Sequence, residues 1–120
     1  MSSPSTDPDC PFCKIATGEI PATLVHETDA TVAFRDLDPQ APVHVLVIPR
    51  RHVATMADLA EVAPHEVALV VDAVAAVARQ EGVAQSGYRT VFNSGPDAHQ
   101  TVFHAHVHVL GGRAMAWPPG

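Results

Sequence analysis

Three histidines occupy alternate positions of TVFHAHVHVLGG, the stretch Thr101–Gly112, as His104, His106 and His108. On an extended strand alternate side chains leave the same face, so these imidazoles would project together, about 7 Å apart. Phe103, Ala105, Val107 and Val109 would then face the other way. Imidazoles grouped in this manner can cage a metal as neutral ligands. They can also move protons near neutral pH, or attack phosphorus or carbon and form a covalent intermediate. The plainer alternative is a half-buried strand that happens to carry histidines. Gly111-Gly112 suits a close backbone approach or a sharp exit turn. Thr101, just upstream, and Asn93, at the end of the preceding apolar segment, could face the same pocket. Turn and strand-end roles account for them equally well.

The second grouping is Cys10-Pro-Phe-Cys13. A redox dithiol of this form belongs after a strand and at the start of a long helix, whereas here it lies almost at the N-terminus with no strand ahead of it. It could also be half of a zinc site, although no second pair stands at finger-like spacing, or two free thiols packed as small hydrophobes. His52, after Arg50-Arg51, reads as a solvated strand-end residue, and His26 and His65 read as surface residues.

These groups need a scaffold. Leu24–Glu27 and Ala30–Arg35 read as two strands joined at Thr28-Asp29. DLDPQAP, Asp36 to Pro42, has the Asp and Pro content of a loop. HVLVI, His44 to Ile48, is apolar enough for a central strand covered on both faces and ends at Pro49. Pro64 to Glu81 carries Val67, Val70, Val71, Val74 and Val77/Ala78 at helical spacing, with Pro64 suited to the first turn and Gly82 to the stop. Shorter helices are expected within Cys10–Glu19 and near Ala57–Ala60. Tyr88–Asn93 and Val102–Leu110 read as strands joined by the loop Ser94–Gln100. Strands, then a helix, then strands, without βαβ alternation, predict an antiparallel α+β sheet.

The chain has 120 residues and is 47% hydrophobic, enough for a single core. Residues 1–8, rich in Ser, Pro and Asp, are expected to form a disordered tail and residues 9–120 one domain. A net charge of −6 argues against a protein that grips nucleic-acid phosphates. Val67–Ala78, the longest apolar run, is too short for a membrane span and is broken by Asp72. With no secretory signal visible, the expected location is the cytoplasm.

HAHVHVL fits His-x-His-x-His-x-x, with apolar x, and so resembles the pattern of the histidine triad (HIT) superfamily. CPFCKI, GEIPA, AFRDLDPQAPVHVLVIPRRH, GYRTVFNSG, QTVFHAHVHVLGGR and the terminal WPPG extend the resemblance from Asp9 onward, towards the nucleotide-binding, phosphoramidase-type branch. The resemblance implies a homodimer. Each subunit would have a five-stranded antiparallel sheet, one long helix and one or two short ones. It implies a site for a purine nucleoside monophosphate group in which His106 is the nucleophile at the α-phosphorus. His108 would contact phosphate and leaving group, with His104 and His44 supporting. Asp36 would hold the ribose hydroxyls, Thr101 and Asn93 would contact phosphate and ribose, and Phe12, Ile15 and Leu37 would wall the base. Trp117 would reach towards the partner's site.

The implied activity is hydrolysis of nucleoside 5′-phosphoramidates. The alternatives are a dinucleoside polyphosphate hydrolase or nucleotidyl transferase, and a nucleotide- or zinc-binding regulatory module. No Mg²⁺-binding carboxylate cluster or Walker-type glycine loop is evident, so no cofactor is expected for catalysis. Zinc-bearing relatives imply a structural Cys₂His₂ site from Cys10, Cys13, His44 and His104. The chain departs from the pattern at Ala98-His99, where glycine is frequent and where His99 could narrow the phosphate loop or add a donor. It departs again at Thr101, where many relatives have serine.

Overall fold

A computed structural model describes residues 6–120. Of the tail expected over residues 1–8, residues 1–5 lie outside the described ones, and Pro8 and Asp9 form a turn closed by the Cys10 amide on the Asp7 carbonyl. In chain order the elements are α1 (Pro11–Thr17), β1 (Leu24–Glu27), β2 (Thr31–Arg35), β3 (Val43–Pro49), α2 (Met56–Val62), α3 (Pro64–Gln80), β4 (Tyr88–Val91) and β5 (Val107–Gly111), with a 3₁₀ turn at Pro96–Ala98. The strands form one antiparallel sheet in the order β1-β2-β3-β5-β4, which is the α+β architecture expected.

The central strand β3 explains its own composition. Val45 and Val47 point to one face and join Ala33, Val107 and Val109 under Leu59, Val70, Val74 and Val77 of α2 and α3. Leu46 and Ile48 point to the other face and pack with Val32 and Phe34 beneath Phe12 and Ile15 of α1. A strand covered on both sides has no polar alternation. His44 and His108 share the α1 face, opposite the long helix. The site is therefore built on the thinner side of the sheet.

The larger departures from the sequence reading are two strand boundaries and one helix position. β5 begins at Val107, not Val102. Its register with β3 pairs Val47 with Val107, and two residues further it would place Pro49 opposite Ala105. Proline has no N–H for a ladder, and the Ala105 amide turns instead to the Val53 carbonyl at 2.7 Å. β4 ends at Val91, before Asn93. Finally, Val71 is 59% exposed rather than part of the core face, because the buried stripe of α3 runs through Glu66, Val70, Ala73, Val74, Val77 and Ala78.

Candidate active site and metal cluster

The three alternating histidines share a side of the sheet but divide into two sites. His106 and His108 lie together, ring centroids 5.1 Å apart. Phe12 of α1 meets the His106 ring edge-on at 5.1 Å. Behind His108 stands His44, diagonal to it in the β3–β5 register, since Leu46 is opposite His108. Asp36, in the loop after β2, completes this group, with its Oδ2 3.4 Å from His44 Nε2.

The backbone assigns the protons. The Gln40 amide donates to His44 Nδ1 at 2.9 Å. An N–H can only donate, so the hydrogen of neutral His44 sits on Nε2. His44 Nε2–H then donates to His108 Nδ1 at 2.9 Å, which leaves the His108 hydrogen on its own Nε2. His106 runs the other way: its Nδ1–H donates to the His104 carbonyl at 2.7 Å, leaving a lone pair on Nε2. One ring thus offers a nucleophilic nitrogen and its neighbour offers an N–H. Burial, together with the neighbouring His106 and His44, lowers the His108 pKa to about 4, against the pull of Asp36. Burial also lowers that of His44, again opposed by Asp36. Both are neutral at pH 7.

His106 and His108 line a cleft of about 280 Å³ with Phe12, Ile15, Asp36, Leu37 and Thr101 among its walls. Asp36 stands at the mouth with Leu37, which is fully exposed. The Asp38 amide fixes Asp36 Oδ1 at 2.8 Å. Of the expected substrate-binding residues, Asn93, His99 and Trp117 do not line this cleft. His99 is exposed and left-handed, with φ 64°, a conformation glycine adopts more readily. Trp117 is 81% exposed, and the Arg89 guanidinium lies 5.9 Å from its ring centre.

The second site collects Cys10, Cys13, His52 and His104, and here the expected ligand set needs correction. His44 is not part of it. In the β3–β5 ladder His44 faces Leu110, six residues or about 20 Å along the strand from His104, and both its nitrogens are engaged as described. His52 takes its place and is not a solvated strand-end residue. Just after Pro49 the chain passes the end of the sheet where His104 lies, and two arginines pin it there. Arg50 donates to the carbonyls of Ala16 and Thr28, each at 2.9 Å. Arg51 grips Glu66 at the start of α3, with Nη2 2.7 Å from Oε2.

The donor set fits a tetrahedral ion. With metal–sulfur distances of about 2.3 Å and metal–nitrogen distances of about 2.05 Å, a tetrahedron has edges of about 3.6 Å for S···N and about 3.3 Å for N···N. His104 Nδ1 lies 3.4 Å from Cys10 Sγ, 3.5 Å from Cys13 Sγ and 3.2 Å from His52 Nδ1, and Cys13 Sγ lies 3.4 Å from His52 Nδ1. His104 Nε2–H donates to the Pro49 carbonyl at 2.8 Å, so its Nδ1 lone pair faces the cysteines. Burial pushes the Cys13 thiol up, an effect opposed by the Asp7 amide; a thiolate there calls for a cation beside it.

Two other residues escaped the sequence reading. Gln100 is buried. Its Oε1 accepts from the Gly95 amide at 2.9 Å and its Nε2 donates to the carbonyls of Ala54 and Val102, tying the 94–101 loop to the segment after His52. Arg113 donates to the Gln40 carbonyl at 3.0 Å and so steadies the loop whose amide orients His44. A glutamine in a polar loop and an arginine past a glycine pair carry no local signal of such roles.

Comparison with known proteins identifies the family and agrees with the fold. The family model described as HIT domain matches residues 17–115. A 14 kDa zinc-binding protein of Zea mays is 45% identical over 122 residues, covering 91% of this chain and 86% of the relative. The purine nucleoside phosphoramidase of Escherichia coli strain K12 is 43% identical over 106 residues, covering 87% of each. A HIT family hydrolase from Legionella pneumophila superposes with a TM-score of 0.89 at 48% identity, over 93% of this chain and all of that one. On its sheet, its histidines and these matches, the chain belongs to the HIT domain family.

Proposed function

We propose that the protein hydrolyses purine nucleoside 5′-phosphoramidates at the α-phosphorus through a nucleotidyl intermediate on His106. The observation that carries this reading is the bond from His106 Nδ1–H to the His104 carbonyl. It leaves Nε2 unprotonated on a side chain that lines the cleft. As Nε2 bonds to phosphorus the ring gains positive charge, and the carbonyl on its other nitrogen stabilises that charge without moving. The P–N bond to the amine breaks in the same step. His108, its hydrogen on Nε2, donates towards the phosphoryl oxygens or the departing nitrogen. Water then displaces neutral His106 from phosphorus. Over both steps one water is consumed, its hydroxyl ending on phosphorus and its proton on the released amine. Asp36 accepts from the ribose hydroxyls, while Phe12 and Ile15 cover the base. The Escherichia coli relative's name, purine nucleoside phosphoramidase, supports this substrate class.

Two structural parts belong to the same reading. Cys10, Cys13, His52 and His104 would hold a zinc ion that ties the N-terminal segment to the sheet. A second copy would cover the groove of about 390 Å³ beside edge strand β4, whose walls include Val67, Val71, Val74 and Phe92. Val71 and Phe92 are more than half exposed there, and apolar surface of this kind marks a contact.

The test is hydrolysis of adenosine 5′-phosphoramidate by wild type and His106→Asn, with a dinucleoside polyphosphate alongside. Turnover by wild type and a loss on the order of 10⁴-fold or more in the variant is expected for removal of a nucleophile. Alkaline quenching and mass spectrometry should find the nucleotidyl adduct on wild type alone. Wild type that binds AMP but turns over neither substrate would refute the enzyme reading in favour of a binding module.

A further inference from the structure

Asp7 lies ahead of the cysteine pair, on a short turn that touches the metal cluster three times. Its backbone amide donates to Cys13 Sγ at 3.4 Å. Its carbonyl accepts from the Cys10 amide at 3.1 Å. Its carboxylate is split between two tasks: Oδ1 accepts from the Asp9 amide at 2.9 Å, which orients the group, and Oδ2 faces His52 Nε2 at 3.8 Å. His52 turns its other nitrogen, Nδ1, into the cluster, 3.4 Å from Cys13 Sγ and 3.2 Å from His104 Nδ1.

We infer that Asp7 is a positioning residue for a metal ion bound at Cys10, Cys13, His52 and His104, its carboxylate holding His52 in the tautomer that presents Nδ1 as a ligand. The inference rests on the zinc reading above. A histidine that ligates through Nδ1 carries its hydrogen on Nε2. A carboxylate facing that N–H fixes the ring orientation and raises the basicity of the ligating nitrogen. His104 obtains the same service from a carbonyl, since its Nε2–H donates to Pro49. On the far-nitrogen side both histidines face an oxygen: the Pro49 carbonyl, hydrogen-bonded to His104 at 2.8 Å, and the Asp7 carboxylate, at an ion-pair distance of 3.8 Å from His52. The Asp7 amide at Cys13 Sγ and the Cys13 amide at Cys10 Sγ, 3.3 Å, place a donor on each sulfur, which suits thiolates rather than thiols.

The test uses the full-length chain, stripped with a chelator and titrated with zinc against a chromogenic competitor at pH 7.5. Asp7→Ala is expected to weaken zinc binding by about tenfold or more, the usual consequence of losing such a partner. Asp7→Asn, which keeps the acceptor for the Asp9 amide but loses the charge, should fall between. Asp9→Ala, whose exposed carboxylate touches no ligand, should match wild type. A merely structural role would not alter the His52 ring, so the ¹H–¹⁵N signal of its Nε2–H in the zinc-loaded protein is read as well, with faster solvent exchange expected in Asp7→Ala. Tight wild-type binding with Asp7→Ala within twofold of it, or with Asp7→Ala weakened no more than Asp9→Ala, overturns the assignment of Asp7. Wild type that cannot compete for zinc at all overturns the zinc reading itself, and this inference with it.

Discussion

Replacing Arg51 by methionine tests how the segment that carries His52 is held. Arg51 lies one residue before His52 and meets Glu66 in a two-pronged contact, Nη2 to Oε2 at 2.7 Å and Nε to both carboxylate oxygens at 3.2 Å. The Glu66 side chain is only 10% exposed, while that of Arg51 is 31% exposed. Arg51→Met leaves a nearly buried carboxylate without its main partner. Hydrogen bonds to a charged group are worth about 1.5–3 kcal/mol net, and breaking a fully buried pair costs about 3–5 kcal/mol. Partial solvent access at Arg51 screens the pair, so about 2 kcal/mol is expected. An unfolding entropy of about 2.1 cal/mol/K per residue over this chain converts that to a Tm lower by about 8 °C. Urea unfolding followed by circular dichroism reads the change directly. The double variant Arg51→Met/Glu66→Met removes both charges and should regain at least half of the loss, because an apolar pair can replace a buried ion pair at little cost. A single variant within about 0.5 kcal/mol of wild type, or a double variant no better than the single, would refute this account of the clamp.

Two further outcomes follow from the site. The folded-state pKa of His108, about 4, is depressed below its ordinary 6.5. The unfolded chain therefore binds the proton first, and stability present above pH 6.5 is lost as the pH falls towards 4. Discounted for its partial exposure, His108 contributes about 1–2 kcal/mol of that loss; urea titrations at pH 7.5 and 4.5 on wild type and His108→Gln should differ by this amount, and parallel pH dependence would count against it. Gln100→Ala deletes three hydrogen bonds, one to Gly95 within the 94–101 loop and two that tie the loop to Ala54 and Val102. It is expected to cost about 2 kcal/mol and to raise KM for adenosine 5′-phosphoramidate more than it lowers kcat; a KM within twofold of wild type would show that the loop holds its place without Gln100.

Much of the molecule could be read locally. The alternation of His104, His106 and His108, the doubly covered strand HVLVI and the Pro64-to-Gly82 helix limits each follow from rules that act within a few residues, namely strand alternation, burial and capping. The antiparallel α+β sheet follows from the order of these elements, whereas its five strands and the family were implied by the resemblance of the motifs to the histidine triad pattern. What stayed hidden depended on register. Only the pairing of Val47 with Val107 places His44 beside His108 and the chain after Pro49 beside His104, which is why His52 and not His44 joins the cysteines. The protons on His44, His106 and His108 were equally out of reach, because their backbone partners, Gln40 N–H and the His104 carbonyl, are groups every residue has. The sequence by itself determined which side chains were available for chemistry. The tertiary structure decided which of them meet and which nitrogen of each ring is free to react, since contacts between distant residues and backbone donors leave no mark on residue type.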